Sequence, residues 1–232
     1  AEILGYTTLQ LNNDFEVFAE VVKQKELMFG LKGISVGLDL RSVGRALGTT
    51  LQFPERGIPC IKEHVLKDYK DFDKLIEVNV QGTANIVNLC IDFGVKKLCY
   101  VSSVATLSAT PNKLITEESD WNNEENNTDY AISKHGGEME VWRGSQEGLK
   151  VVVVNPSVVL GSGFYDSGSG LLFKKIAEGL SYYPSGGTGF VAVTDVVRAM
   201  ILLQFSEIEN RRFILNTANL SYHYLFEKIA QA

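Results

Sequence analysis

The sequence predicts an α/β domain whose parallel sheet is covered by helices on both faces. Three observations carry this expectation. From about Asp68 onward, segments with helical spacing alternate with short strand-like segments. One of them, residues 150–155 (KVVVVN), is a β-branched run of the kind that forms a central parallel strand. The 232 residues are 45% apolar and 22% charged, which allows a sizeable core in one domain, or in one domain with a small appendage.

The elements follow in order. Residues 71–93 read as a helix, with Leu75, Ile76, Val80, Ala84, Val87 and Cys90 at helical spacing. Gly94 stops it as a C-terminal capping glycine. Residues 97–101 (KLCYV) form a short buried strand, and 104–129 a long polar loop ending in WNNEENNTD. Asn and Asp there can cap the next helix, over about 130–146. The strand at 150–155 is followed by a glycine-rich loop at 161–170, a short helix at 171–179 and a tight turn at 186–189. A helix at 194–205 capped by Thr194, a strand at 212–215 and a final helix at 221–231 complete the series. Within residues 1–67, stretches 14–28 and 38–47 suit amphipathic helices, and no convincing strand pair is evident.

Bulk properties exclude several function classes. Net charge is −6 and no stretch concentrates Lys and Arg, which argues against nucleic acid as a partner. The three cysteines, Cys60, Cys90 and Cys99, cannot all pair and form no C-x-x-C, as expected of reduced, mostly buried thiols in a cytoplasmic protein. The first ten residues do not read as a signal peptide, and the longest apolar runs fall short of a membrane span, so no membrane partner is expected. His64, His135 and His223 lack ligand spacing, so no metal is expected.

Tyr130 and Lys134 stand one turn apart on one helix face. A free tyrosine, with a pKa near 10, is a poor acid–base at neutral pH, but a neighbouring ammonium favours the phenolate. The phenol can then exchange a proton with a carbinol or carbonyl oxygen. Taken alone, the pair is a weak signal, and a tyrosine packed on a helix with a solvated lysine is the better reading of it. Context adds weight. Val101, Ser102 and Ser103 end a strand, and in open α/β sheets ligands bind at the carboxyl ends of strands. The 150–155 strand, continuing into Pro156, Ser157 and Val158, should end in the same crevice.

Five segments then come in order: VNVQGT (78–83), YVSS (100–103), YAISK (130–134), VNPSVVLG (154–161) and GFVAVTDVV (189–197). In these the chain resembles the extended short-chain dehydrogenase/reductases, the NAD-dependent epimerase/dehydratase family, over about residues 68–232. The likeness is strongest to the dihydroflavonol-4-reductase-like and sterol-dehydrogenase-like members. It implies a Rossmann-like doubly wound sheet, with residues 1–67 as its N-terminal part, 68–160 as its catalytic half and 161–232 as a partial, truncated substrate lobe. It implies Tyr130 as catalytic acid/base, Lys134 as its electrostatic partner and ribose ligand, and Ser103, rather than Ser102, as donor to the substrate oxygen. Val101, Ser102, Pro156 and Val158 would border the cofactor, NAD or NADP, and Asn79 would brace the active-site end of its helix. The implied activity is hydride transfer between nicotinamide and a small or medium hydroxyl/ketone substrate. The alternatives are a nucleotide-sugar epimerase or dehydratase, for which Arg143, Arg198, Arg211 and Arg212 are available, and a non-catalytic dinucleotide-sensing or interaction protein. Homodimers are common in this family, through the helices expected at 71–93 and 130–146.

Two departures stand out. Asn155 occupies the place before Pro156 where the family usually has arginine. The family's opening strand and G-x-x-G-x-x-G are missing. The nearest candidate, Gly30, Gly33 and Gly37, has its last glycine one residue late, and its spacing favours loop glycines with no phosphate role.

Overall fold

In the computed structural model the described residues are 72–231, apart from 109–113, 124–126, 163–164, 166–167 and 181, together with 50–52, 60–63 and five helical positions between 16 and 24. The chain divides into two compact units, Ala1–Lys74 and Leu75–Ala232.

In the first unit, Glu16, Val17, Glu20, Val21 and Gln24 are helical, within the stretch expected to be amphipathic, and Gln24 Nε2 donates to Glu20 Oε1 at 2.7 Å. The helix expected at 38–47 and the glycines at 30, 33 and 37 lie outside the described residues. Strands β1 (Thr50–Gln52) and β2 (Cys60–Glu63) pair antiparallel, which corrects the expectation that this region holds no strand pair. Strands of three and four residues are too short to declare a period in sequence.

One long helical run begins at Phe72 and lies mostly in the second unit: α1 (Phe72–Ile76), a π-helical segment (Glu77–Gln81) and α2 (Gly82–Asp92). The apolar spacing announces the helix but not the π turn, which lies where the chain makes a tertiary contact: Asn79 Nδ2 donates to Ser133 Oγ at 2.9 Å. Gly94, at φ +61°, ends the run, and Val95 N–H returns to the Cys90 carbonyl at 2.8 Å.

Strands β3 (Lys97–Val101), β4 (Lys150–Pro156) and β7 (Arg211–Leu215) form a parallel sheet in the order β3-β4-β7. Between β3 and β4 runs α3 (Asp129–Gln146). Its N-cap is Thr128, whose hydroxyl accepts from Ala131 N–H at 3.2 Å, so the cap falls on the threonine rather than on the surrounding Asn and Asp. Val151 and Val153 of β4 share a core with Val87 of α2, Val141 of α3 and Leu149. Val152 and Val154, equally buried, point the other way. On that side α5 (Val193–Gln204) contacts β3 and β4. Both faces of the sheet are therefore covered, and the valine run is the consequence.

A second sheet joins β5 (Val158–Leu160), β6 (Gly187–Ala192) and β8 (Ala218–Ser221), with β5 parallel and β8 antiparallel to β6. Two expectations are corrected here. Only Gly186, at φ +98°, turns; Gly187 to Gly189 belong to β6, where a Cβ at Gly189 would meet Ser157 Cβ at 3.0 Å. Nor does Thr194 cap α5. The helix begins at Val193 directly after β6, with Ala192 as a cap that makes no side-chain bond. The short helices α4 (Gly170–Ala177) and α6 (Tyr222–Ala230) complete the unit, and the Ser221 hydroxyl caps α6 by accepting from Tyr224 N–H at 3.1 Å. No helix among the described residues is long and apolar enough to cross a membrane.

Candidate active site

Strands β3 and β4 run in register from Lys97 opposite Lys150 to Val101 opposite Val154, so their carboxyl ends lie side by side. Ser102 extends the ladder, its N–H donating to the Val154 carbonyl at 2.8 Å. Alternation then separates the two serines. Ser102 turns inward, buried, and its hydroxyl donates to Glu138 Oε2 at 2.5 Å. Ser103 is half-buried and caps the 3₁₀ turn Val104–Thr106, its Oγ accepting from Ala105 N–H at 3.2 Å.

Tyr130 and Lys134 lie on the first turns of α3. The Tyr130 side chain is half exposed, at 50%. Lys134 reaches back to the strand: Nζ donates to the Val101 carbonyl at 2.8 Å and to Tyr100 Oη at 3.4 Å, and lies 4.8 Å from the Tyr100 ring centroid. Burial lowers the Lys134 pKa, and the Glu138 carboxylate opposes that fall. Burial also raises the Tyr100 phenol, against a hydrogen bond from Thr83. Lys134 thus fastens the start of α3 to the end of β3. Among the described residues, no hydrogen bond joins Ser103, Tyr130 and Lys134 to one another; the fold gathers their elements at one sheet edge.

The same edge receives the end of β4. Pro156 is its last residue and is buried, while Val158, half-buried, opens β5. Between them Ser157 donates both its N–H and its hydroxyl to the Leu215 carbonyl, at 3.0 and 3.2 Å. Asn155 is buried, and its Nδ2 lies within reach of the Ser103 carbonyl (3.1 Å), Thr106 Oγ1 (3.0 Å) and Glu138 Oε2 (3.0 Å). Glu138 therefore organises both strand ends, a part that sequence reading missed. Its signal was present: on the Lys134 helix, one turn on and one turn before Val141, a carboxylate stands on the inward stripe.

Tyr165 packs edge-on to Phe173, and Tyr183 packs against His223 and Phe226. Glu117, in the polar loop before α3, accepts from Ile214 N–H of β7 at 2.9 Å. A groove of about 580 Å³ is lined by Ile76, Val80, Trp121, Ile132, His135 and Gly136 among others, and by none of Ser103, Tyr130 or Lys134.

Comparison with known proteins bears on the fold that carries this edge. The model of the NAD dependent epimerase/dehydratase family matches residues 54–214. Tetraketide alpha-pyrone reductase 2 of Arabidopsis thaliana is 30% identical over 180 residues, covering 70% of this chain and 55% of that protein. Cinnamoyl-CoA reductase 1 of Oryza sativa subsp. japonica is 27% identical over 151 residues, covering 60% and 45%. The chain thus spans about half the length of the curated relatives it matches. Among solved structures, UDP-glucose 4-epimerase of Thermotoga maritima with UDP-glucose superposes with a TM-score of 0.61 at 22% identity, over 70% of this chain and 55% of that one. That likeness shows the shared Rossmann fold. With the family model spanning well over half of its residues, the chain belongs to the NAD dependent epimerase/dehydratase family.

Proposed function

We propose that this chain serves an NAD(P)-dependent oxidoreductase that moves hydride between nicotinamide and a hydroxyl/ketone substrate. The observation that carries the reading is the in-register ending of β3 and β4, with Lys134 bound to the Val101 carbonyl, which collects Ser103, the start of α3 and Pro156–Val158 at one edge. The residues at that edge fit the nicotinamide half of a dinucleotide: a half-buried serine, an apolar stretch through Val158 and a lysine ammonium. The nearest sequence candidate for the pyrophosphate half, at Gly30, Gly33 and Gly37, lies outside the described residues.

When bound, the nicotinamide supplies or accepts the hydride. Ser103 donates a hydrogen bond to the substrate oxygen. Tyr130 gives that oxygen a proton during reduction and removes one during oxidation. Lys134 favours negative charge on the phenol oxygen and offers its remaining donors to a ribose. The hydroxyl and N–H of Ser102 are already used within the fold, so its contribution is to hold Ser103 in place. The reductase names of the curated relatives favour net reduction. A sugar-nucleotide epimerase is the second reading, favoured by the structural likeness to UDP-glucose 4-epimerase.

Calorimetry with NAD and NADP tests the proposal, and absence of binding by either at millimolar concentration would remove it. In a binding protein, Tyr130→Phe should lower kcat about a hundredfold or more while leaving cofactor affinity nearly unchanged. Turnover of UDP-glucose to its epimer with no net change in nicotinamide absorbance would select the second reading.

A further inference from the structure

Glu138 is 1% exposed, and five donors converge on it. Oε2 faces Ser102 Oγ (2.5 Å), Thr106 Oγ1 (2.9 Å) and Asn155 Nδ2 (3.0 Å). Oε1 faces Trp142 Nε1 (3.1 Å) and Arg212 Nη2 (3.1 Å). A buried carboxylate persists only when paired and hydrogen-bonded. Asn155 carries no charge, so the balancing cation comes from β7, through Arg212, which also lies 5.7 Å from the Trp142 ring centroid.

The donors are not scattered. Ser102 precedes Ser103, and Thr106 closes the turn that Ser103 caps. The Thr106 hydroxyl is also within 2.9 Å of the Ser103 carbonyl and can give its one proton to that oxygen or to Glu138. Asn155, next to Pro156, reaches the same carbonyl. One carboxylate thus fixes the backbone on both sides of Ser103 and the residue before Pro156.

We propose that Glu138 is a positioning residue for the catalytic edge, holding the β3 exit and the β4 end in one geometry, with Arg212 as its counter-ion. Its link to turnover rests on the oxidoreductase reading; its link to geometry does not. Glu138→Gln keeps size but turns a donor toward a site that already holds five donors. Arg212→Met leaves the carboxylate without its cation, and Arg212→Lys retains one.

Hydrogen exchange provides the test, because the amides of Ser102, Ala105, Thr106 and Leu107 are all hydrogen-bonded. In Glu138→Gln their exchange should quicken about tenfold or more, while the amides of Val151–Val153 stay within about twofold of wild type. Arg212→Met should quicken the same four amides and Arg212→Lys should largely restore them, a comparison that decides the matter even if Glu138→Gln does not fold. The double variant Glu138→Gln/Arg212→Met should lose less protection than the two single effects summed. Equal quickening at both places, or none at 102–107, would overturn the positioning role, and an additive cycle would remove Arg212 from it. If the wild type binds NAD(P) and turns over, Glu138→Gln should lower kcat about tenfold or more with cofactor affinity within about threefold. If the wild type binds no cofactor, the oxidoreductase reading fails alone and the exchange result still decides the positioning claim.

Discussion

His135 follows Lys134 on α3 and stacks on Trp121, with ring centroids 4.3 Å apart and planes within 8°. Burial lowers its pKa below the ordinary 6.5, Glu138 raises it and Arg212 lowers it again. The folded state therefore prefers the neutral ring. Stability from this residue is fully present above 6.5 and is lost as pH falls through the lowered folded value. Protonation should quench Trp121 fluorescence with a midpoint below 6.5, measured in a Trp142→Phe background, and His135→Leu should abolish the transition. A midpoint at or above 6.5 would contradict the assignment. Residue-scale legibility was uneven for a physical reason. Ser103, Tyr130 and Lys134 stand out because their chemistry and spacing repeat a family pattern. Glu138 does not, because a glutamate on a helix looks solvated until its five partners, drawn from the exit of β3, the 3₁₀ turn after it, β4, β7 and its own helix, are brought around it.

At the scale of elements, α3 crosses the preceding helical run on small residues. A Cβ at Gly136 would meet Val80 Cγ2 at 2.7 Å, and one at Gly144 would meet Val87 Cγ1 at 2.5 Å. At Gly137 it would strike the Asn79 carbonyl and come within 2.6 Å of Tyr100 Oη, the phenol that receives Lys134. A backbone carbonyl in a helix cannot rotate away, whereas a valine can move. Gly137→Ala should therefore destabilise by about 1–3 kcal/mol, with Gly144→Ala the milder change, both read from urea unfolding. Equal effects would mean that the crossing adjusts as a whole. The helices themselves were legible from apolar period and stop signals, Gly94 foremost. The π segment, β1, β2, β5 and β8 were not, because each is defined by pairing or contact with distant residues rather than by local preference.

At the scale of the molecule, the first unit yields one antiparallel strand pair, and the second unit carries the two sheets and the candidate site. On the second unit, Leu89 of α2 and Phe93 at its C-cap are exposed one turn apart, and α3 leaves Ile132 and Met139 exposed two turns apart. These are the faces through which a homodimer is proposed, since apolar helix faces pack against each other when a two-fold brings them together. The chain should sediment as a dimer and Phe93→Asp as a monomer, by analytical ultracentrifugation. A wild type that stays monomeric at every concentration tested would sink the proposal.

The sequence by itself determined the alternation of helix and strand from Asp68, the buried valine strand and the identity of the proton-transfer candidates. Periodicity, glycine stops and side-chain chemistry are local properties, written within a few residues. Tertiary structure decided which serine of the pair is open, where Lys134 points, and that Glu138 with Arg212 ties β3, β4 and β7 together. Those outcomes depend on groups far apart in the chain, from Asn155 and Glu138, 17 residues apart, to Glu138 and Arg212, which meet only when β3, β4 and β7 lie in register. The charge of a buried carboxylate is settled by the partners that fold around it, not by its neighbours in sequence.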